Sequence, residues 1–222
     1  MKIEELQIYT SRLEEQNTFY QETLGLEISE KGNDFFEIKT GYSLLRFVEK
    51  TGATPYHIAF HIPDETEVPA LEWLKERLKI QKMGNDEIVD FSNWEAKSVY
   101  FYDHDKNILE FISRRNLNNI NSSPFSAEEI VGISEIGLAT TNIEEKYKFL
   151  YRHCQLRIFD GSLDKFCAIG DPQGLIITID KTKKDWFPVD DKAYSSEFSI
   201  KFTHQNSNFH LDFKDDHLTI VE

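Results

Sequence analysis

Polar and apolar residues alternate along positions 3–10, as they do in a half-buried strand. Apolar side chains then recur at helical spacing over residues 13–24. Ser11 and Glu14 form the pattern of a capping box at the start of this helix. Three short extended runs follow, at residues 26–31, 34–39 and 42–50. The first fifty residues therefore predict a β-α-β-β-β unit.

This order of elements restarts further along the chain. A second β-α-β-β-β unit is predicted for residues 55–113. A third follows after a break, because residues 5–20 align with residues 135–150 without a gap, and Thr141 repeats the place of Ser11. A fourth unit begins near Phe198 but has no helix. The pattern predicts three complete units and one truncated unit.

The break between the second and third units is rich in Asn and Ser and includes a proline, which is typical of a linker. The sequence therefore predicts a first domain over residues 1–115 with an intact cleft. A linker is predicted for residues 116–129, and a degenerate second module for residues 130–222. The role of the final stretch, residues 181–222, is left open.

Three phrases resemble the vicinal oxygen chelate superfamily, which includes glyoxalase I, extradiol dioxygenases and bleomycin-resistance proteins. They are LEEQNTFYQETLGL at 13–26, YHIAF at 56–60 and YFYDHDKNILEF at 100–111. Their order and spacing make the resemblance more specific than a single phrase would be. The resemblance implies an α+β fold in which repeated β-α-β-β-β units pair into a curved sheet around a cleft, with helices outside.

The superfamily places up to four side chains on the cleft floor, from the first and last strands of each unit. By position these are Glu5, Arg46, His57 and Glu110. The resemblance implies that Glu5, His57 and Glu110 bind a divalent Zn, Mn, Ni or Fe ion, and that His57 and Glu110 are catalytic. One nitrogen and two carboxylates suit such a site. Arg46 departs from the pattern, because glyoxalases have a carboxylate there.

A permanently charged Arg46 could instead replace the metal by pairing with the carboxylates, and charge balance favours this alternative. The candidates for substrate binding are Arg46, Tyr9, Tyr100, Tyr102 and His61. The third unit repeats Glu5 as Glu135, but no His or carboxylate stands at its other floor positions. We therefore expect no metal at Glu135.

The chain has 222 residues, with 39 acidic and 25 basic side chains and a formal charge of −14. This charge disfavours nucleic acid and anionic membranes as partners. No apolar run approaches 18 residues, and no signal-peptide pattern is evident. Two cysteines without a CxxC pattern are typical of a reduced, cytoplasmic protein.

Two functions fit these patterns. The first is a metal-dependent lyase or ring-cleaving dioxygenase that acts on a small substrate with two adjacent oxygens. The second is a metal-free protein, similar to bleomycin-resistance proteins, that binds an aromatic or cationic small molecule against aromatic side chains. The expected partner is a small-molecule ligand, and a homodimer is one assembly that the sequence allows.

Overall fold

The structure is a computed structural model that describes residues 1–117 and 124–221. Its strands form two mixed sheets of seven and nine strands, and its helices pack against them. This is the α+β architecture that the resemblance to a known superfamily implies.

The seven-stranded sheet combines the first and fourth units. Unit 1 contains β1 (Lys2–Thr10), α1 (Leu13–Thr18) with a π-helical continuation (Phe19–Thr23), β2 (Ile28–Lys31), β3 (Phe35–Thr40) and β4 (Ser43–Glu49). Unit 4 contains the antiparallel strands β14 (Phe198–His204), β15 (Ser207–Lys214) and β16 (His217–Ile220). The strand order is β16-β15-β14-β1-β4-β3-β2.

The nine-stranded sheet combines the second and third units. Unit 2 contains β5 (His57–Ile62), α2 (Glu67–Lys75), β6 (Ile80–Gln81), β7 (Val89–Phe91), β8 (Ala96–Tyr102) and β9 (Ile108–Arg114). Unit 3 contains β10 (Gly132–Thr140), α3 (Ile143–Cys154), β11 (Ile158–Ser162), β12 (Phe166–Asp171) and β13 (Gly174–Asp180). The strand order is β11-β12-β13-β10-β5-β9-β8-β6, and β7 pairs with β8.

The first strands of the units join each sheet. Strand β1 pairs antiparallel with β14, and β10 pairs antiparallel with β5. The prediction that units 1 and 2 together form a cleft is therefore wrong, because unit 2 shares its sheet with unit 3. A domain boundary across residues 116–129 would divide the nine-stranded sheet. The sequence pattern of a unit shows that the free edge of its first strand must pair with another strand. It does not show which unit contributes that strand.

Strand register shows how closely units 1 and 3 correspond. Glu5 lies opposite Leu44 on the parallel neighbour, and Glu135 lies opposite Leu175 in the same way. The predicted capping boxes are displaced, however. The N-cap of α3 is Asn142, whose side chain accepts a hydrogen bond from the Glu145 amide (3.1 Å). The N-cap position of α1 is Arg12, which makes no capping hydrogen bond through its side chain.

One hydrophobic core extends through both sheets and all three helices. Alternating residues of the central strands, among them Ile58, Phe111 and Leu138, are buried in it. The predicted linker contributes as well, because Phe125 is buried and a 3-10 helix spans Ala127–Glu129. Its positions 118–123 lie outside the described residues. The core covers one face of the nine-stranded sheet, and a cavity lies on the other face.

Across the described part of the chain, none of the helices is long and apolar enough to cross a membrane.

Candidate functional site

Three ionisable side chains meet at the centre of the nine-stranded sheet. His57 begins β5, Glu110 lies on the parallel neighbour β9, and Glu135 lies on the antiparallel neighbour β10. A register shift between Ile133 and Glu135 places one extra residue in β10. This irregularity turns Glu135 away from the core and towards the same face as His57.

The three side chains are close enough to share one ion. The His57 Nε2 atom lies 3.5 Å from Glu110 Oε2 and 3.8 Å from Glu135 Oε2. One ligand atom from each residue lies within 4.8 Å of the others. All three residues are at least 95% buried. One imidazole nitrogen and two carboxylates form a donor set that fits a divalent transition metal.

A buried arginine accompanies this cluster. Arg114 ends β9, its side chain is 0% exposed, and its Nη2 donates to Glu135 Oε1. That contact leaves Oε2 of Glu135 on the side of His57. Two carboxylates and one guanidinium give the cluster a net charge of −1 when His57 is neutral. Either a proton or a divalent cation can compensate this charge.

Burial and mutual charge shift the pKa values of the cluster. Burial raises the pKa of Glu110 to about 7, and the charge of Glu135 adds to the rise. Burial opposes protonation of His57, but its contacts with Glu135 and Glu110 outweigh this effect and raise its pKa. Burial would also raise the pKa of Glu135, yet its contact with His57 and the charge of Arg114 hold it below its ordinary value.

A cavity of about 630 Å³ opens above the cluster. Its walls are largely aromatic, with Tyr100 and Trp186 flanking His57 at ring-centroid distances of 6.5 and 5.4 Å. Gly137 allows this approach, because a Cβ atom there would lie 2.7 Å from Trp186 and 3.0 Å from the Cβ of His57. Trp186 belongs to the segment after β13, so residues 181–197 supply part of the cavity wall.

Comparisons with known proteins bear on the fold. No protein-family model and no curated protein matches the chain. Among solved structures, a protein of Bacillus subtilis subsp. subtilis str. 168 described as a candidate dioxygenase aligns with a TM-score of 0.60 and 14% identity. A glyoxalase I mutant from Zea mays aligns with a TM-score of 0.52 and 13% identity.

The two alignments cover 81% and 80% of this chain. They cover 63% and 66% of the two known chains, so this chain spans less than two thirds of either. At these identities the likeness concerns the fold. The chain shares the fold of these two proteins. The fold implied by the three sequence phrases is thereby confirmed.

Two of the four floor residues expected from the superfamily pattern lie elsewhere. Glu5 and Arg46 are on the seven-stranded sheet, in a separate cleft of about 350 Å³. Glu5 binds Lys201 at 2.6 Å, and the Arg46 guanidinium stacks on Phe35 at 3.6 Å. The expected convergence with His57 and with Glu110 is therefore wrong for Glu5 and Arg46, because unit 1 pairs with unit 4.

Glu135 takes the position in the cluster that was assigned to Glu5. The repeat alignment identified this equivalence, but Glu135 was expected to lack partners. That expectation is wrong, because its partners come from unit 2 rather than from its own unit. Ile177 has the register position of Arg46, because it lies opposite Gly137 as Arg46 lies opposite Gln7, and it lines the cavity.

The other candidates occupy four different environments. Tyr100 lines the cavity beside the cluster, and burial together with the charge of Glu110 raises its pKa well above the ordinary value. Tyr9 lines the cleft on the seven-stranded sheet, so it is not near the cluster. Tyr102 donates to Asp191 at 2.6 Å in a separate pocket. His61 is buried against the Gln173 carbonyl, and burial lowers its pKa to about 4.

Sequence reasoning missed Arg114 and the tryptophans of the cavity. Arg114 follows Glu110 at a spacing of four, and alternation along β9 places both on the same face. That signal was available in the sequence. Trp94 ends a single-turn 3-10 helix (Ser92–Trp94), and Trp186 lies in a segment of turns and an isolated bridge. Neither is long enough for periodicity to indicate which way the side chain points.

Proposed function

We propose that the protein is a metal-dependent enzyme of the glyoxalase and dioxygenase type. It would be a lyase or a ring-cleaving dioxygenase acting on a small substrate with two adjacent oxygens. The observation that supports this most strongly is the buried His57, Glu110 and Glu135 cluster at the floor of an aromatic cavity. The cytoplasmic location and the homodimer stay predictions.

In this proposal His57, Glu110 and Glu135 hold a divalent Zn, Mn, Ni or Fe ion. The bound ion would polarise two adjacent oxygens of the substrate. Ile177 at the register position of Arg46 offers no ligand atom, so it leaves room on that side for the substrate. This ligand set replaces the expected one, with Glu135 in the place of Glu5.

The chain's own groups would position the substrate and move its proton. Ser98 Oγ donates to Glu110 Oε1, which fixes the orientation of that carboxylate. Without a bound ion the pKa of Glu110 is about 7, so its carboxyl group gives up its proton readily near neutral pH and becomes available to the ion or to a substrate proton. Tyr100 keeps its proton, so its hydroxyl can donate a hydrogen bond to a substrate oxygen. The aromatic walls would exclude water around these groups.

The alternative is a metal-free protein that binds a small molecule in the same cavity. The contact between Arg114 and Glu135 favours it, because the guanidinium already compensates one of the two carboxylates. Protonated His57 would compensate the other. Arg114 would then have the role that the sequence assigned to Arg46, which is too far away to serve.

Catechol binding can separate these two functions, since catechol carries two adjacent oxygens. Untagged protein would be loaded with Mn²⁺ or treated with a chelator, and catechol titrated into each by calorimetry. The enzyme proposal predicts binding about tenfold or more tighter to the loaded protein, a preference that His57→Ala abolishes. Equal affinities with and without metal would support the metal-free alternative instead.

A further inference from the structure

The cavity above the cluster is surrounded by a continuous series of aromatic rings. Phe187 contacts Tyr100 and Phe91 at centroid distances of 5.8 and 5.9 Å. Trp94 continues the series beyond Phe91 at 5.9 Å, and Phe166 follows Trp94 at 6.4 Å. Faces and edges of this kind favour a flat aromatic ligand over a branched aliphatic one.

The volume of the cavity sets the size of that ligand. An engineered cavity of about 150 Å³ in another protein is sufficient for benzene. The cavity here is about 630 Å³, roughly four times larger. A single unsubstituted ring would leave most of it unfilled. A substituted or fused aromatic molecule would fill more of this volume.

Two lysines place positive charge at one end of this cavity. Lys165 and Lys184 both line it, and both are attached to the same residue at the end of β13. The Asp180 amide donates to the Lys165 carbonyl (3.1 Å), and the Lys184 amide donates to the Asp180 carbonyl (3.0 Å). Their backbones thus bring two positive side chains to one end of the cavity.

These two lysines differ from their neighbour Lys183 in having no acidic partner. Lys183 binds Asp164 at 2.9 Å and Asp180 at 3.2 Å. Within residues 1–117 and 124–221, neither Lys165 nor Lys184 has a carboxylate oxygen within 4.0 Å. Their charges are therefore available to a ligand.

The acidic residues of the same cavity already have donors from the protein. Asp160 accepts from the Trp94 Nε1 atom at 2.6 Å and from the Gly161 amide at 2.7 Å. Asp90 accepts from the Ser92 hydroxyl. These hydrogen bonds leave both carboxylates charged but hold them on protein donors. In the described part of the chain, Lys165 and Lys184 are the cavity cations without an acidic partner, so they are the groups that a ligand carboxylate would bind.

We infer that the ligand of this cavity is an aromatic carboxylate, with its rings between the aromatic walls and its carboxylate at Lys165 and Lys184. This inference rests on the proposed function, since it names the substrate class of the same site. It makes the two lysines determinants of specificity. They touch a part of the substrate remote from the cluster, so they contribute to binding and not to the chemical step.

The test compares 2-naphthoate with its neutral analogue 2-naphthamide. Binding is followed by quenching of tryptophan fluorescence, because Trp94 and Trp186 line the cavity. Chelator-treated wild type should bind 2-naphthoate about tenfold more tightly than 2-naphthamide. The double variant Lys165→Gln, Lys184→Gln should bind both equally, with its affinity for 2-naphthamide unchanged. Lys183→Gln, the matched control, should keep the wild-type preference.

Equal affinities for the two probes in chelator-treated wild type would overturn the inference. A preference that survives in the double variant, or absence of binding of both probes, would overturn it as well. A preference that exists only with Mn²⁺ present would also overturn it, because the metal would then bind the carboxylate. That last result leaves the proposed function standing. If the protein fails to bind Mn²⁺ but still prefers 2-naphthoate over 2-naphthamide, the inference is supported and the proposed function fails.

Discussion

Each sheet has a cleft, and the two clefts are built from equivalent positions of the repeat. The polar side chains on their floors differ strongly in solvent exposure. The Glu135 side chain on the nine-stranded sheet is 3% exposed and faces His57. The equivalent Glu5 side chain on the seven-stranded sheet is 45% exposed and binds Lys201. The same residue type at the same register thus contributes to a candidate metal site in one cleft and to a solvated ion pair in the other.

The neighbouring units explain this difference. Unit 2 supplies His57 and Glu110 opposite Glu135, whereas unit 4 supplies Ser199 and Lys201 beside Glu5. Aromatic side chains and the segment after β13 also wall the first cleft. As far as the structure describes it, unit 4 has three strands and no helix. The burial and the binding partners of a floor residue therefore depend on the unit that pairs with its strand.

The largest expected loss of stability comes from removing the Arg114 guanidinium, which binds Glu135 in the cleft of the nine-stranded sheet. In chelator-treated protein, Arg114→Met should lower the free energy of unfolding by about 3–5 kcal/mol, because it strands the buried Glu135 carboxylate. Arg46→Met in the open cleft should cost about 1 kcal/mol or less. Urea denaturation of both variants measures the difference. Equal losses would mean that the two clefts do not differ in burial as described.

A smaller effect is expected at the glycine that lets Trp186 approach His57. Gly137→Ala should cost about 1–3 kcal/mol of unfolding free energy and shift the tryptophan emission, because the new Cβ would overlap Trp186. Gln7 has the equivalent register position in the open cleft. Gln7→Ala should change stability by about 0.5 kcal/mol or less. An unchanged emission spectrum in Gly137→Ala would contradict the packing of Trp186.

Stability of the metal-free protein should depend on pH through the buried cleft. The folded pKa of Glu110 is about 7, above its ordinary value of 4.5, so its stabilising contribution exists at low pH and is lost as pH rises through about 7. The raised pKa of His57 acts in the same direction above about pH 6.5. Urea denaturation of chelated protein should therefore show stability falling from about pH 5 to pH 8.

Glu110→Gln should remove most of this slope, whereas Glu5→Gln should retain it. A flat wild-type profile, or the same slope in Glu110→Gln, would refute the assignment. Metal-loaded protein should behave oppositely, because metal ligands must lose their protons before they bind.

The smallest effect is predicted for the ion pair of the open cleft. Lys201 lies 2.6 Å from Glu5, and both side chains are nearly half exposed. Lys201→Ala should cost about 0.2–1 kcal/mol, and this cost should shrink in high salt, because solvent and ions screen exposed pairs. A salt-independent loss of several kcal/mol would show that this cleft is closed in solution.

Local patterns predicted most elements and the repeat, and the resemblance of three sequence phrases to a known superfamily implied the fold. The alternation of residues 3–10 and the gap-free alignment with residues 135–150 identify the units and the equivalence of Glu5 with Glu135. The site itself was only half predicted, because pairing between units is a long-range choice that no local pattern records. His57 and Glu110 belong to one unit and were found together. Arg46 was assigned to the wrong cleft for the same reason as Glu5.

Metal content measured by mass spectrometry tests the central claim most directly. Untagged wild type, Glu135→Ala and Glu5→Ala would each be loaded with Mn²⁺ and dialysed under identical conditions. Wild type and Glu5→Ala should retain about one ion per chain, and Glu135→Ala should retain far less, since it loses one of three protein ligands. Retention of the metal by Glu135→Ala together with its loss in Glu5→Ala would contradict the assignment of the site to units 2 and 3.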